Sequence, residues 1–383
     1  MSGPTPFAVD WPAAEVEAML ARVRGYPWPP APEVDDGWTY GCDAAWLKEL
    51  CAFWTDAYDW RAAMAELNRF PQFTARVEDL DIHFVHLVGE AGGQRPLLLC
   101  HGWPGSHYEF WGAAEKLAFP SRSGGAAADA FDLVIPSLPG YGFSSRPKAP
   151  VGPRQTARLF DQLMAERLGY ERYLVQGGDW GSLVAGWLGL DRPQHVAGVH
   201  LNMLGLKIET DPADPAEASW LKRQRRAIDK LGAYNRLQRT RPQSLAWLAA
   251  GNPVGQAAWI AERFHDWADL SGRSLDAVFP KAHLLTNIMI YVMSGSFPTA
   301  AWSYRGSVEE AGGALPPGLR CEVPTAFASF PADAISPAPP RSLVARGYNL
   351  VRWTEMPRGG HFAAMEEPDL LVDDVRAWAK QLA

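Results

Sequence analysis

The stretch Gln176-Gly177-Gly178-Asp179-Trp180-Gly181-Ser182 (QGGDWGS) follows directly on the strand-like run Tyr173-Leu174-Val175. Small residues stand two positions either side of one carboxylate. That spacing belongs to a strand-to-helix elbow, in which a tight turn has no room for side chains beside a nucleophile and lifts it above a sheet. Residue 179 takes the nucleophile's place, and it is an aspartate where many hydrolases keep a serine. A helix-capping aspartate in a glycine-rich turn would look the same locally. The surroundings must decide.

Outward from the elbow, short apolar runs bounded by Gly or Pro recur at Ile82–Val88, Pro96–Cys100, Phe131–Pro136, Tyr173–Gln176, Val196–Leu201, Val323–Ser329 and Leu350–Thr354. Helix-like stretches alternate with them, and the later runs are continuously apolar, as strands covered on both faces should be. This predicts an α/β chain with a mostly parallel, doubly wound sheet. Between Asn202 and about Gly306 the alternation stops. Helical patterns rich in Trp, Leu and Arg replace it at Ser219–Leu231, Pro242–Leu248, Gln256–Trp267 and Lys281–Met293. An insertion after a strand's C-terminal end lies over the face where open α/β sheets bind ligands, so residues 204–306 are expected to form a helical cap. The core is then 76–203 and 307–383. Residues 1–75 carry helix-like pieces at Pro12–Arg24, Asp43–Ala57 and Trp60–Asn68, an N-terminal helical extension whose many aromatics need something to pack against.

Bulk properties exclude several classes. A net charge of -7 argues against a nucleic-acid surface, and the densest basic run, Lys222-Arg223-Gln224-Arg225-Arg226, reads as a solvated helix face. The 4 cysteines form no CxxC pair and are too few for a disulfide framework, which predicts a reducing compartment. Neither a signal-peptide pattern nor a long apolar run occurs, so a soluble, cytoplasmic protein without a membrane anchor is expected. His83 and His86 would point to opposite faces of a strand and cannot share a metal.

A carboxylate nucleophile implies its own chemistry. Attack by Asp on an electrophilic sp³ carbon leaves an alkyl ester of the enzyme, which water must cleave with the help of a base and an oxyanion hole. Cys100-His101-Gly102-Trp103-Pro104-Gly105 follows an early strand, where this architecture supplies one backbone N–H, the second coming from the residue after the nucleophile. Trp103 and Trp180 are the candidates, with His101 a structural strand-end residue. In this topology the base is last in chain order, after the final strand, which selects His361 in Arg358-Gly359-Gly360-His361-Phe362. Asp333 follows the run Val323–Ser329 and would hold its imidazole, the lesser alternative being a helix N-cap before Ala334-Ile335; the rival position, Asn202, carries no charge. Tyr234 and Tyr304, near the two ends of the insertion, are candidates for electrophilic help, or else packed aromatics.

Assembled, these residues resemble an epoxide hydrolase of the microsomal type within the α/β-hydrolase superfamily. The resemblance runs from Pro6-Phe7 through Gly37-Trp38-Thr39-Tyr40-Gly41 and Leu67-Asn68-Arg69-Phe70-Pro71-Gln72-Phe73 to HGWPGS, PGYGFS, GGDWGS and the late run Arg358 to Pro368. Animal members carry an N-terminal membrane anchor, so the resemblance here is to a soluble form. It implies Asp179 as nucleophile, His361 as base, Asp333 as acid, and Tyr234, in its Tyr-x-x-x-Gln-x-Thr-x-Pro setting, with Tyr304 as the pair that activates an epoxide. The acid is Glu in some members, which makes the reach of the shorter Asp333 a point to check. The expected partners are water and a small-molecule epoxide, aryl or bulky given the 17 tryptophans, with no metal or organic cofactor and a homodimer allowed. A haloalkane dehalogenase shares the Asp nucleophile but stabilises halide with N–H donors; a catalytically silent hydrolase-fold binding protein is the remote alternative.

Overall fold

Among the described residues nine strands form one sheet: β1 (Thr5–Phe7), β2 (Gln72–Val77), β3 (Leu80–Leu87), β4 (Pro96–Cys100), β5 (Asp132–Pro136), β6 (Tyr173–Gly177), β7 (Val196–Leu201), β8 (Cys321–Ser329) and β9 (Tyr348–Glu355). Their order is β1-β2-β3-β5-β4-β6-β7-β8-β9. This computed structural model describes residues 3–33, 37–92, 95–208 and 211–382. From β5 to β9 every neighbouring pair is parallel, and the β1-β2-β3-β5 edge is antiparallel. The seven strands read from the sequence are all present, and the architecture is the expected α/β-hydrolase fold.

The continuous apolar runs explain the centre. Every residue of β5 and β6 is buried, as is Leu97 to Cys100 of β4. Helices cover the sheet: α4 (Trp111–Ala118), α5 (Pro153–Gln162), α6 (Asp179–Asp191), α14 (Arg341–Gly347) and α16 (Pro368–Gln381), with the single turn α15 (Ala363–Glu366) before the last. Of these, α6 is apolar nearly all round, as a helix enclosed by core must be. The chain leaves β4 for β5 on one side and then crosses to β6 on the other. The strand order therefore reverses between the C-terminal ends of β4 and β6, the place where open α/β sheets hold ligands.

The N-terminal extension is not wholly helical. It contains α1 (Ala13–Arg24), α2 (Ala44–Asp56) and α3 (Trp60–Leu67), as expected, but β1 and most of β2 lie within it and extend the sheet. Asp43 and Asp59 cap α2 and α3 by accepting main-chain N–H bonds. Its aromatics find their partners in the helical segment between β7 and β8. That segment comprises α7 (Pro215–Leu231), α8 (Ala233–Thr240), α9 (Pro242–Ala249), α10 (Pro253–Trp267), α11 (Leu275–Val278), α12 (Lys281–Ser294) and α13 (Phe297–Glu309). Trp38 stacks on His265 with centroids 4.1 Å apart, Trp46 Nε1–H donates to Asp276 at 2.9 Å, and the Tyr58 hydroxyl bonds Thr286 at 2.9 Å. The basic run of α7 is an exposed helix face, as read from the sequence. Among the described residues no helix is long and apolar enough to cross a membrane.

Candidate active site

Asp179 opens α6 directly after β6 and adopts a positive φ of 44°, the left-handed region that costs a non-glycine residue about 1–2 kcal/mol. The turn is tight because β4 lies beside it: a Cβ on Gly181 would stand 1.8 Å from the Cys100 carbonyl oxygen. The elbow thus points the carboxylate out of the end of the sheet. The Trp103 N–H donates to Asp179 Oδ1 at 2.7 Å. Trp180 is the second residue of α6, and an amide there has no intrahelical carbonyl to bond.

Opposite the elbow, the loop after β9 delivers His361. Its Nδ1 lies 2.9 Å from Asp333 Oδ2, and its Nε2 lies 3.4 Å from Asp179 Oδ2. A carboxylate accepts only, so Nδ1 carries the proton that it donates to Asp333, and Nε2 faces Asp179. Asp333 is long enough. Its second oxygen accepts the N–H groups of Ile335 at 3.1 Å and Ser336 at 2.8 Å; no helix begins there, so it closes a turn instead of capping a helix. His361 and Asp333 are each 7% exposed. Burial alone would lower the imidazole, but the charges and hydrogen bonds of Asp333 and Asp179 outweigh it and hold His361 well above the usual histidine range.

The helical segment supplies the opposite wall. Tyr234 of α8 stacks on Trp103 with centroids 5.2 Å apart, Tyr304 of α13 meets Trp180 edge-on at 4.7 Å, and the two tyrosine rings lie 5.9 Å apart. Burial raises both phenols above their ordinary value; for Tyr234 the charge of Asp179 adds next, and for Tyr304 the neighbouring Tyr234 and then Asp179 add. Both stay protonated across working pH. Both rings pack on the tryptophans that flank Asp179.

Several contributors escaped the sequence reading. Trp267, at the end of α10, accepts the His361 N–H through its carbonyl at 3.1 Å, and its ring lies 4.9 Å from the imidazole. One turn earlier, Arg263 is 5% exposed and sits over the Tyr234 ring at 5.3 Å. Glu366 accepts from Gly360 at 2.8 Å, Phe362 at 2.7 Å and Asp269 at 2.7 Å, tying the His361 loop to the segment after α10. Burial pushes that carboxyl up to about 7 against the pull of those N–H groups. The only sequence signal for it was its place in the late run His361 to Pro368. Asn202 accepts from Gln176 at 2.8 Å, and the buried His101 accepts the Leu138 N–H at 3.1 Å. His83 and His86 reach different partners, Gln72 and Ser137 for the first and Tyr170 for the second. A surface cleft of about 430 Å³ lies elsewhere, along Arg154, Trp187 and Asp191, but its arginines are spent in ion pairs such as Arg154–Asp191 at 2.7 Å.

The sheet, the elbow and the Asp-His-Asp constellation define an α/β-hydrolase whose nucleophile position holds a carboxylate. Residues 95–261 match the family described as alpha/beta hydrolase fold, and residues 4–110 match that described as Epoxide hydrolase N terminus. A provisionally named epoxide hydrolase of Stigmatella aurantiaca (strain DW4/3-1) is 37% identical over 99% of this chain and 86% of its own. Epoxide hydrolase 1 of Sus scrofa is 32% identical over 97% of this chain and 87% of its own. The structure of Aspergillus niger epoxide hydrolase superposes with a TM-score of 0.86 at 32% identity, covering 100% of this chain and 97% of that one. The chain belongs to the epoxide hydrolase family.

Proposed function

We propose that the protein converts an epoxide to a vicinal diol through a covalent ester on Asp179. The observation that carries this reading is the bridging position of that carboxylate, with one oxygen on the Trp103 N–H at 2.7 Å and the other 3.4 Å from His361. In this scheme the insertion over residues 204–306 acts as the cap. Tyr234 and Tyr304 hydrogen-bond the epoxide oxygen while Asp179 attacks a ring carbon from the far side, and one phenol gives its proton to the departing alkoxide. Alkylation removes the charge of Asp179. His361, oriented by Asp333, then takes a proton from water as the water attacks the ester carbonyl carbon, and the Trp103 and Trp180 N–H groups hold the oxyanion. The diol oxygen leaves with the proton from His361, and the proton of the regenerated acid returns to the phenolate. The rings of Trp103, Trp180, Trp267 and the two tyrosines surround the reacting carbon, which favours apolar, aryl or bulky epoxides.

The labelling pattern of one turnover tests the nucleophile. With enzyme in excess in heavy-oxygen water, the diol should emerge largely unlabelled and the peptide containing Asp179 should carry the label. Fully labelled diol from the first turnover would mean direct attack by water and a general-base role for Asp179. The dehalogenase alternative is disfavoured by two phenols in the wall and by the family; halide release from chloroalkanes at rates comparable to epoxide opening would restore it.

A further inference from the structure

Next to the nucleophile lies a cavity of about 20 Å³ that neither tyrosine lines. A water needs roughly 10–15 Å³ by the same measure and two to four polar partners, so this space suits one. Asp179, His361, Gln176, Asn202 and Glu109 supply its polar wall. Gln176 is 1% exposed; its Nε2–H donates to Asn202 at 2.8 Å, and its Oε1 is a buried acceptor without a partner. Glu109 comes from the single helical turn His107–Phe110 that follows HGWPGS. Its carboxyl folds back against Gly105, where a Cβ would lie 1.5 Å from Oε1, so the glycine is what admits it. Burial first, and the nearby charge of Asp179 second, push this carboxyl up to about 8, while His361 and the Gly102 backbone pull it down.

We propose that Glu109 and Gln176 are positioning residues for the second half-reaction, holding the hydrolytic water in this cavity between His361 Nε2 and the carbonyl carbon of alkylated Asp179. The inference rests on the ester mechanism above. One water hydrogen points to His361 Nε2 and is taken by it as the new C–O bond forms. The other points to Gln176 Oε1 or the Glu109 carboxyl and stays on the oxygen, which leaves a lone pair facing the ester carbon. Alkylation neutralises Asp179, so the charge that raises Glu109 most after burial disappears at the moment the water is needed.

The test separates the two steps by stopped-flow Trp fluorescence and by mass spectrometry of the enzyme during turnover. Glu109→Ala, and Glu109→Asp, which withdraws the carboxyl by one methylene, should alkylate within about threefold of the parent but hydrolyse the ester roughly tenfold to a hundredfold more slowly, the scale for a misplaced reactant. Alkyl-enzyme should accumulate. Glu109→Gln, similar in shape, should recover most of the hydrolysis rate. Hydrolysis at the parental rate in Glu109→Asp, or equal slowing of both steps in any of the three, would overturn the proposal; should the alanine variant fail to fold, the aspartate variant decides. His361→Gln serves as the control. If it fails to accumulate ester, the ester mechanism itself is wrong; if it accumulates ester while Glu109→Asp hydrolyses normally, only the role of Glu109 falls.

Discussion

On the proposed ester mechanism, His361 would face different demands in the two half-reactions. Beside ionised Asp179 and Asp333 its imidazole is held well above the usual range, but a base for water must be neutral. On that mechanism alkylation would resolve this by removing the Asp179 charge. His361→Gln is therefore expected to become alkylated and stall, with one substrate mass added to the peptide carrying Asp179; sustained diol formation would sink the base assignment. Asp333→Asn should leave alkylation within a few fold and slow ester hydrolysis by roughly a thousandfold to ten-thousandfold, the scale seen when a triad's orienting carboxylate is neutralised. The same ionisation reaches stability. The folded value lies above the ordinary unfolded value of about 6.5, so the histidine's contribution is complete below about pH 6.5 and is lost as pH rises through the folded value. Melting temperature against pH should show a weaker alkaline decline in Asp333→Asn than in the parent. Tyr234→Phe and Tyr304→Phe should each slow alkylation by roughly ten- to a thousandfold, with little left in the double variant. Arg263 lies over the Tyr234 ring, which favours the phenolate there, so the Tyr234 variant should lose more. Equal or smaller loss at Tyr234 would assign the proton to Tyr304.

The elbow shows at the level of elements how much sequence can say. Gly181→Ala should destabilise by at least about 3 kcal/mol, the upper end of overpacking, because the obstacle is the Cys100 main chain and cannot rotate away. A urea midpoint measures it. At the nucleophile itself, Asp179→Gly should be inactive yet about 1 kcal/mol more stable than Asp179→Ala, since only glycine accepts a φ of 44° without strain. The tight turn at Asp179 was legible because its spacing is a local steric demand, and the proximity of His361 and Asp333 to it was legible because chain order in a doubly wound sheet fixes which strand ends meet. Tyr234 was legible through its local setting. Trp267, Arg263, Glu366 and Glu109 were not, since each reaches the site through a contact that only the folded chain creates. The same reason hides β1. Three residues make no periodicity, and its partner strand is Gln72–Val77.

For the whole molecule, the N-terminal extension is a brace. β1 and β2 close the antiparallel edge of the sheet, while Trp38, Trp46 and Tyr58 grip α10 to α12 of the insertion. Removing residues 1–71 should therefore give an insoluble or non-cooperatively melting chain, because it bares the β2–β3 edge and the apolar faces of those helices together. A soluble truncated protein with parental activity would show the extension to be dispensable. The brace also has a history in time. Tyr58 and Thr286 are separated by 228 positions, and at roughly 5–20 residues per second a ribosome takes on the order of ten to fifty seconds to travel between them. Through that interval Trp38, Trp46 and Tyr58 wait for partners not yet synthesised, so the nascent chain, more than the finished enzyme, is expected to be the form that exposes apolar surface.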